Sequence, residues 1–520
     1  MAGTGHAWAR WPWWAAKLAA PALAGIVIGT VFASSVASAA PASVRFASPV
    51  FVDQVRAGGE PGVIHSNKFG NLVYTSHEGT THIDRSGGAG SIQQFLCPGL
   101  LTADCYKNHV WIWTSDDGGK TWQLRDEALP YTGFSDPDLS QDASGSIYNT
   151  GIDLANDSVF SSQDGGKTWP HGTTNCHEGD RPWLAGGVAG EVFMSTDTEE
   201  NGHTVFQSTN YADSCGLTGI ADNGTFNGEN YSGFGKLTYD PFDGSLIEPA
   251  VFQHSDGTTG VGISRLPNAH KAFSSGGGTW QPQEIVYPTT VYSPFGAPQV
   301  MSMDSSENIY FAWDTNERDP NGTGGCSQTI PNTGGGPTPL PNHIMLVAGK
   351  HVGPGKWTFL PPVSLASQGN ARVLWPWSVA GSGGNLSVVW YQMDKMVDPD
   401  CDIYNGQTVP DVKTYIFEAQ ITNATNLSKR QITVTNASGR FIHQGGICDS
   451  GTTCVATGQD RRLGDYFTNS IDARGCVIIA SGDTTVPDPV TGGPRATSLP
   501  IFIKQITGPS LTTGKSCAVT

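Results

Sequence analysis

A recurring set of chemically capable side chains stands at the starts of short apolar segments. The strings GGEPGV, FSDPDL, GDRPWL, LWPWSV and LGDYFT contribute Glu60, Asp136, Asp138, Asp180, Arg181, Trp183, Trp375, Trp377, Asp465 and Tyr466, with Arg372, Arg461 and Arg462 just upstream of two of them. Carboxyl groups and aromatic rings converging in one cleft suit glycosidic-bond cleavage. One acid protonates the leaving oxygen, a second acts as nucleophile or activates water, and ring faces stack on sugars. The candidate catalytic set is Asp136, Asp180, Arg181, Arg372, Arg462, Asp465 and Tyr466. The competing reading is structural: an acid before proline caps a strand start and bonds backbone amides.

Something must bring these dispersed residues together, and the strand pattern supplies it. A short strand, a polar turn and an apolar strand recur seven times, beginning near Glu60, Asp136, Asp180, Gly235, Ala297, Trp375 and Asp465. The apolar second strands read NLVYTS, SIYNTG, EVFMST, SLIEPAVF, NIYFAW, LSVVWY and CVIIAS, and third strands such as HVWIWTS, TVFQS and PIFIKQ follow. Seven units of three or four strands predict an all-β fold, a seven-bladed β-propeller with six blades as the alternative count and a β-sandwich as the alternative architecture. In a propeller the innermost strands line a channel and their starts meet at one mouth. The 66 glycines and a charged fraction of 14% fit many tight turns and few helix faces. No long helix is expected beyond the leader, because sustained 3.6-residue periodicity is missing.

A second repeat is sharper. Residues 115–122 read SDDGGKTW, residues 162–169 read SQDGGKTW, and residues 274–280 read SSGGGTW with Ser275 where the aspartate should be; Ser208, Asn210, Ala212, Ser214 and Cys215 follow the same offsets. The pattern S-x-D-x-G-x-T-W is turn chemistry, in which the aspartate accepts turn amides, glycine takes positive φ and tryptophan covers a neighbouring strand. These strings resemble the Asp-box, or bacterial neuraminidase repeat. The resemblance extends over most of residues 50–510 and implies a sialidase-like propeller whose boxes lie away from the substrate face. Sialidases hold a substrate carboxylate with three arginines, use a tyrosine paired with a glutamate as nucleophile, and use an aspartate as acid/base. Arg181, Arg372, Arg462, Tyr466 and Glu60 would be the counterparts, although Glu60 stands where an arginine is usual and seven blades exceed the usual six. Seven-bladed relatives that cleave glucans use paired aspartates, which here would be Asp136 with Asp465 or Asp180.

The chain ends of the argument are export and charge. Arg10 and Lys17 precede an apolar run to Ala33 that closes on Ala37-Ser38-Ala39, so residues 1–39 read as a signal peptide and 40–520 as one propeller domain; an uncleaved anchor is the alternative. Ten cysteines in an exported chain read as disulfides, with proximity pairing Cys97–Cys105, Cys176–Cys215, Cys326–Cys401, Cys448–Cys454 and Cys476–Cys517. The last pair would help to hold the ring closed. Loop insertions are expected at 84–108, 316–341 and 395–412. The formal charge of -17 makes nucleic acid and anionic membranes poor partners. The expected partner is an extracellular glycan met by a monomer, without membrane insertion. No cofactor is required; calcium at Asp314–Asp319 is the one metal possibility, and His65, His77 and His82 lack zinc spacing and read as packing residues. The second functional reading is a propeller that binds a glycan or protein without cleaving it.

Overall fold

The computed structural model describes residues 43–77, 110–125, 133, 135–152, 156–198, 202–216, 220–222, 225–226, 229–232, 234–253, 259–274, 278–285, 291–292, 300–317, 342–367, 372–395, 411–448, 454 and 460–518. The chain divides into Met1–Ala40 and Pro41–Thr520. Seven antiparallel sheets lie in the second unit and form a seven-bladed β-propeller. The inner strands, in blade order, are Gly59–His65, Leu139–Gln141, Asp180–Gly186, Thr238–Tyr239, Val300–Met303, Val373–Ala380 and Thr468–Ile471. They follow the seven starts read from sequence. The second strands alternate little because both faces are covered by neighbouring blades, so they read as near-continuous apolar runs. Leu72–His77 and Val477–Asp483 are buried at every residue.

The last blade is built from both ends of the domain. Arg45–Phe46 and Val50–Phe51 pair antiparallel with Leu499–Thr507, placing Val50 opposite Phe502. Ring closure therefore rests on strand exchange. The Cys476–Cys517 disulfide, formed as expected, ties the second strand of that same blade to the chain end. Cys176–Cys215 crosses from blade 2 to the outer turn of blade 3, and Cys448–Cys454 closes a short loop. Cys97, Cys105, Cys326 and Cys401, His82, most of the three expected insertions and residues 1–42 lie outside the described residues.

In blades 1 and 2 the S-x-D-x-G-x-T-W turns join third to fourth strands at the blade end opposite the inner-strand starts. In blade 1 the Asp117 carboxylate accepts the Lys120 and Thr121 amides at 2.9 and 3.0 Å and the Thr121 and Ser115 hydroxyls at 2.6 and 2.8 Å. Asp164 in blade 2 repeats the same four bonds. Gly119, at φ 92°, abuts the Phe502 ring of blade 7, where an added Cβ would come within 2.1 Å. Trp122 then packs edge-on against Tyr74 and Phe502. The blade 3 turn keeps this geometry with altered residues. Asn210 accepts the Ser214 amide, Ser208 accepts the Ala212 amide, and Ala212 takes the positive φ of 69°. In blade 4 the helix Ala269–Ser274 sits between the third and fourth strands, while Ser275 lies outside the described residues.

Candidate functional site

Four of the seven inner strands begin with the same backbone device. Glu60, Asp136, Arg181 and Trp375 have φ of 45°, 50°, 58° and 53°, and each is followed by proline. A residue before proline ordinarily adopts extended backbone, so this left-handed conformation is strained by on the order of 1–3 kcal/mol per residue. Pairing slips at the same place: between Gly59 and Gly62, Asp180 and Trp183, and Leu374 and Trp377. The bulge re-aims one side chain per blade. Gly464, at φ 73°, does the equivalent before Asp465 in blade 7, where glycine carries no Cβ penalty.

The positive-φ residues Glu60, Asp136 and Arg181, with Gly464 before Asp465, bring an acid cluster together from blades 1, 2, 3 and 7. Glu60 is fully buried; its Oε1 accepts the Asp465 amide at 2.9 Å, and its Oε2 lies 2.8 Å from His77 Nε2. Asp136 shares a hydrogen bond with Glu60 and accepts the Ser135 hydroxyl at 2.6 Å. Loss of solvent, followed by the Glu60 and Asp180 charges, holds the Asp136 carboxyl well above the usual carboxylate range. Asp180 is exposed beside it. Arg461 donates to Asp465 Oδ2 at 2.6 Å and also faces Glu60 and Asp136. Burial disfavours the charge on Arg181, but Asp465, Asp180, Asp136 and Asp197 around it outweigh that and raise its pKa.

Beneath this cluster the channel is filled by aromatic rings. Trp183 lies 5.0 Å from Tyr466 and 5.7 Å from Trp377, and Trp377 stacks on Tyr466 at 5.7 Å. The Tyr466 phenol donates to the Pro137 carbonyl at 2.7 Å, and burial, then the surrounding acids, pushes its pKa well up. Asp138 accepts the Leu184 amide at 2.8 Å and binds Lys236, whose ammonium lies over the Trp183 ring. Asp138, Trp183, Trp377 and Tyr466 thus form a floor under the mouth.

The remaining candidates sit in separate networks. Arg462 is buried with its guanidinium on Asp460 and on the Arg495 carbonyl. Arg372 is buried near Asp314, whose Oδ2 accepts the Trp375 amide at 3.4 Å. Burial lifts the Asp314 carboxyl to about 6 against the opposing pull of Arg372 and that amide. Asp314 lies within the strand Ile309–Glu317 and is itself buried, so it is no part of an open loop. Among the described residues no group of three or more His, Cys, Asp or Glu side chains is placed to hold a metal ion. Arg181, Arg372 and Arg462 thus serve three different sets of acids, and Arg461 is the second arginine of the acid cluster. From sequence, Glu60 stands outside the candidate catalytic set, as the partner of Tyr466 in the sialidase-like arrangement, and His77 reads as a packing residue. The signal for Glu60 was present in the repeated charged-or-aromatic residue before proline at four inner-strand starts; His77 had none.

The sequence matches no family model and no curated protein. Among solved structures it is similar to a protein of unknown function from Dyadobacter fermentans, at 13% identity and TM-score 0.40 over 89% of this chain and 99% of that one. It is also similar to a GH93 alpha-L-arabinofuranosidase of Fusarium graminearum, at 11% identity and TM-score 0.34 over 89% and 98%. Trypanosoma rangeli sialidase aligns at 12% identity and TM-score 0.36 over 90% of this chain and 60% of its own length. Likeness at this level concerns the propeller fold alone.

Proposed function

We propose that the chain is an exported, Asp-box-type propeller that hydrolyses a glycosidic bond at its mouth, with Asp136 as the general acid. The observation that carries this reading is the placement of the Asp136 carboxyl, hydrogen-bonded to Glu60 on a strained left-handed residue at an inner-strand start, where loss of solvent and the neighbouring acids raise its pKa. Asp136 delivers its proton to the glycosidic oxygen as the bond to the anomeric carbon breaks. Asp180, exposed beside it, supplies the second carboxyl, which attacks the anomeric carbon or takes a proton from the attacking water. The aromatic floor of Trp183 and Trp377 gives the site its closed base. Export is supported by the leader pattern of residues 1–39 and by the disulfides of the domain.

Within the sialidase-like group, an acid pair acting on a neutral sugar fits better than a sialoside site. Only Arg181 and Arg461 join the cluster, and the Tyr466 phenol is already engaged with Pro137. The second reading, binding without cleavage, draws on the hydrogen bonds by which Arg461 and Glu60 hold Asp465. A panel of fluorogenic glycosides that includes a sialoside separates the two. Turnover by the mature chain that disappears in Asp136→Asn supports the hydrolase, and NMR of the first-formed anomer then assigns Asp180 as nucleophile or base. A folded chain that cleaves none of the panel supports the binding module.

A further inference from the structure

Asp197 sits on the second strand of blade 3, Val192–Thr198, directly opposite Asp180 in the pairing of that blade. Its side chain is 46% exposed, and it is among the acids that surround the Arg181 guanidinium. That guanidinium makes no hydrogen bond or ion pair among the described residues, and Asp465, Asp180, Asp136 and Asp197 surround it electrostatically.

The Asp197 carboxylate is fixed from behind. Its Oδ1 lies 2.7 Å from His203 Nδ1, and His203 Nε2 lies 2.7 Å from Glu248 Oε1 in blade 4. The imidazole is buried and stacks on the Phe234 ring at 4.1 Å and 12°. A ring nitrogen facing a carboxylate on each side donates on each side, so the imidazole carries both protons. Neither nitrogen is left to act as a base. What the arrangement delivers is orientation: one oxygen of Asp197 is pinned while the side chain stays 46% exposed.

We infer that Asp197 is a substrate-facing carboxylate and His203 its positioning residue, and that Asp197, Asp180 and Arg181 together form a subsite for adjacent hydroxyls of a sugar ring. A carboxylate oxygen accepts from one hydroxyl while a guanidinium N–H donates to its neighbour, a pairing that reads the spacing of a vicinal diol. This rests on the glycan reading above and specifies which groups of the sugar are recognised. Asp180, Asp197 and Arg181 face the ligand, while Glu248 and Phe234 serve only to hold His203.

The test is direct binding, which does not depend on turnover. Calorimetric titration of methyl glycosides of common hexoses and pentoses, and of methyl sialoside, is made into the mature Asp136→Asn chain and into the same chain carrying Asp197→Asn or His203→Gln. Each second change is expected to weaken binding by about 10–100-fold, the range for a hydrogen bond to a charged group. The matching deoxy sugar should bind the Asp197→Asn chain no worse than the parent sugar does. Asp197→Asn that binds normally overturns the subsite, as does His203→Gln that lowers the melting temperature yet binds normally, which would make His203 only a staple between blades 3 and 4. A folded Asp136→Asn chain that binds none of these sugars removes the glycan reading together with the subsite, a result distinct from either variant's.

Discussion

The two faces of the propeller use the same residue type in opposite ways. At the outer turns, burial pushes the Asp117 carboxyl up, but the Thr121 and Ser115 hydroxyls and the Thr121 and Lys120 amides outweigh it and bring the pKa down to about 2. At the mouth, Asp136 has one hydroxyl donor, Ser135, and loss of solvent, followed by the Glu60 and Asp180 charges, pushes its pKa well up. A carboxylate ringed by donors is a fixed structural charge; a carboxyl beside other carboxyls stores a proton. The sequence around each is rich in Ser, Asp and Gly or Pro, and local composition does not separate them. What differs is the surroundings: a turn supplies its own donors within four residues, whereas the mouth gathers acids from four blades.

The largest expected effect follows from that contrast. Asp136→Asn should lower kcat by about 10²–10⁴-fold with little change in melting temperature, measured on whichever glycoside the wild-type chain cleaves. Asp117→Asn should do the reverse, leaving kcat in place and lowering the melting temperature. Equal loss of activity in both variants would dissolve the distinction between the faces. Gly119→Ala tests the turn more severely. The new Cβ meets the Phe502 ring and φ is positive, so a loss of about 1–3 kcal/mol in denaturant unfolding is expected, with unaltered KM.

Stability should also depend on pH in opposite directions at the two faces. The folded pKa of Asp117 lies below its ordinary value of 3.8, so its contribution is complete above that value and disappears as pH falls through about 2. For His203, burial acts against the charge, but Glu248 and Asp197 raise the pKa to about 10; its contribution is complete below 6.5 and is lost as pH rises through about 10. Urea midpoints of wild type and His203→Gln should therefore converge as pH rises through 10, and those of wild type and Asp117→Asn as pH falls towards 2. Gaps that stay constant across these windows would show that neither charge matters to folding. The smallest effect is expected from Asn210→Asp. It restores an acceptor-only side chain to a turn whose Ser208 hydroxyl and Ser214 amide donors are already in place, while the Ser214 hydroxyl turns from acceptor to donor, for a gain of about 0.5 kcal/mol or less.

The repeat was readable because each blade must bury two faces with its own few strands. That demand writes an apolar run, a polar turn and a second apolar run into the chain seven times, and the turns announce themselves because Asp117 and Asp164 find all their partners locally. The mouth obeys no such local rule. Arg461 and Arg462 are adjacent in sequence, yet one serves Asp465 and the other Asp460. Glu60 and Asp465 are 405 residues apart and share a hydrogen bond. Sequence alone determined the all-β repeat and which residues start the inner strands, since both follow from short-range periodicity and turn chemistry. Only the closed ring decided which starts meet, which arginine reaches which acid and which carboxyl keeps its proton, because those depend on desolvation and charge summed over blades that the chain visits far apart.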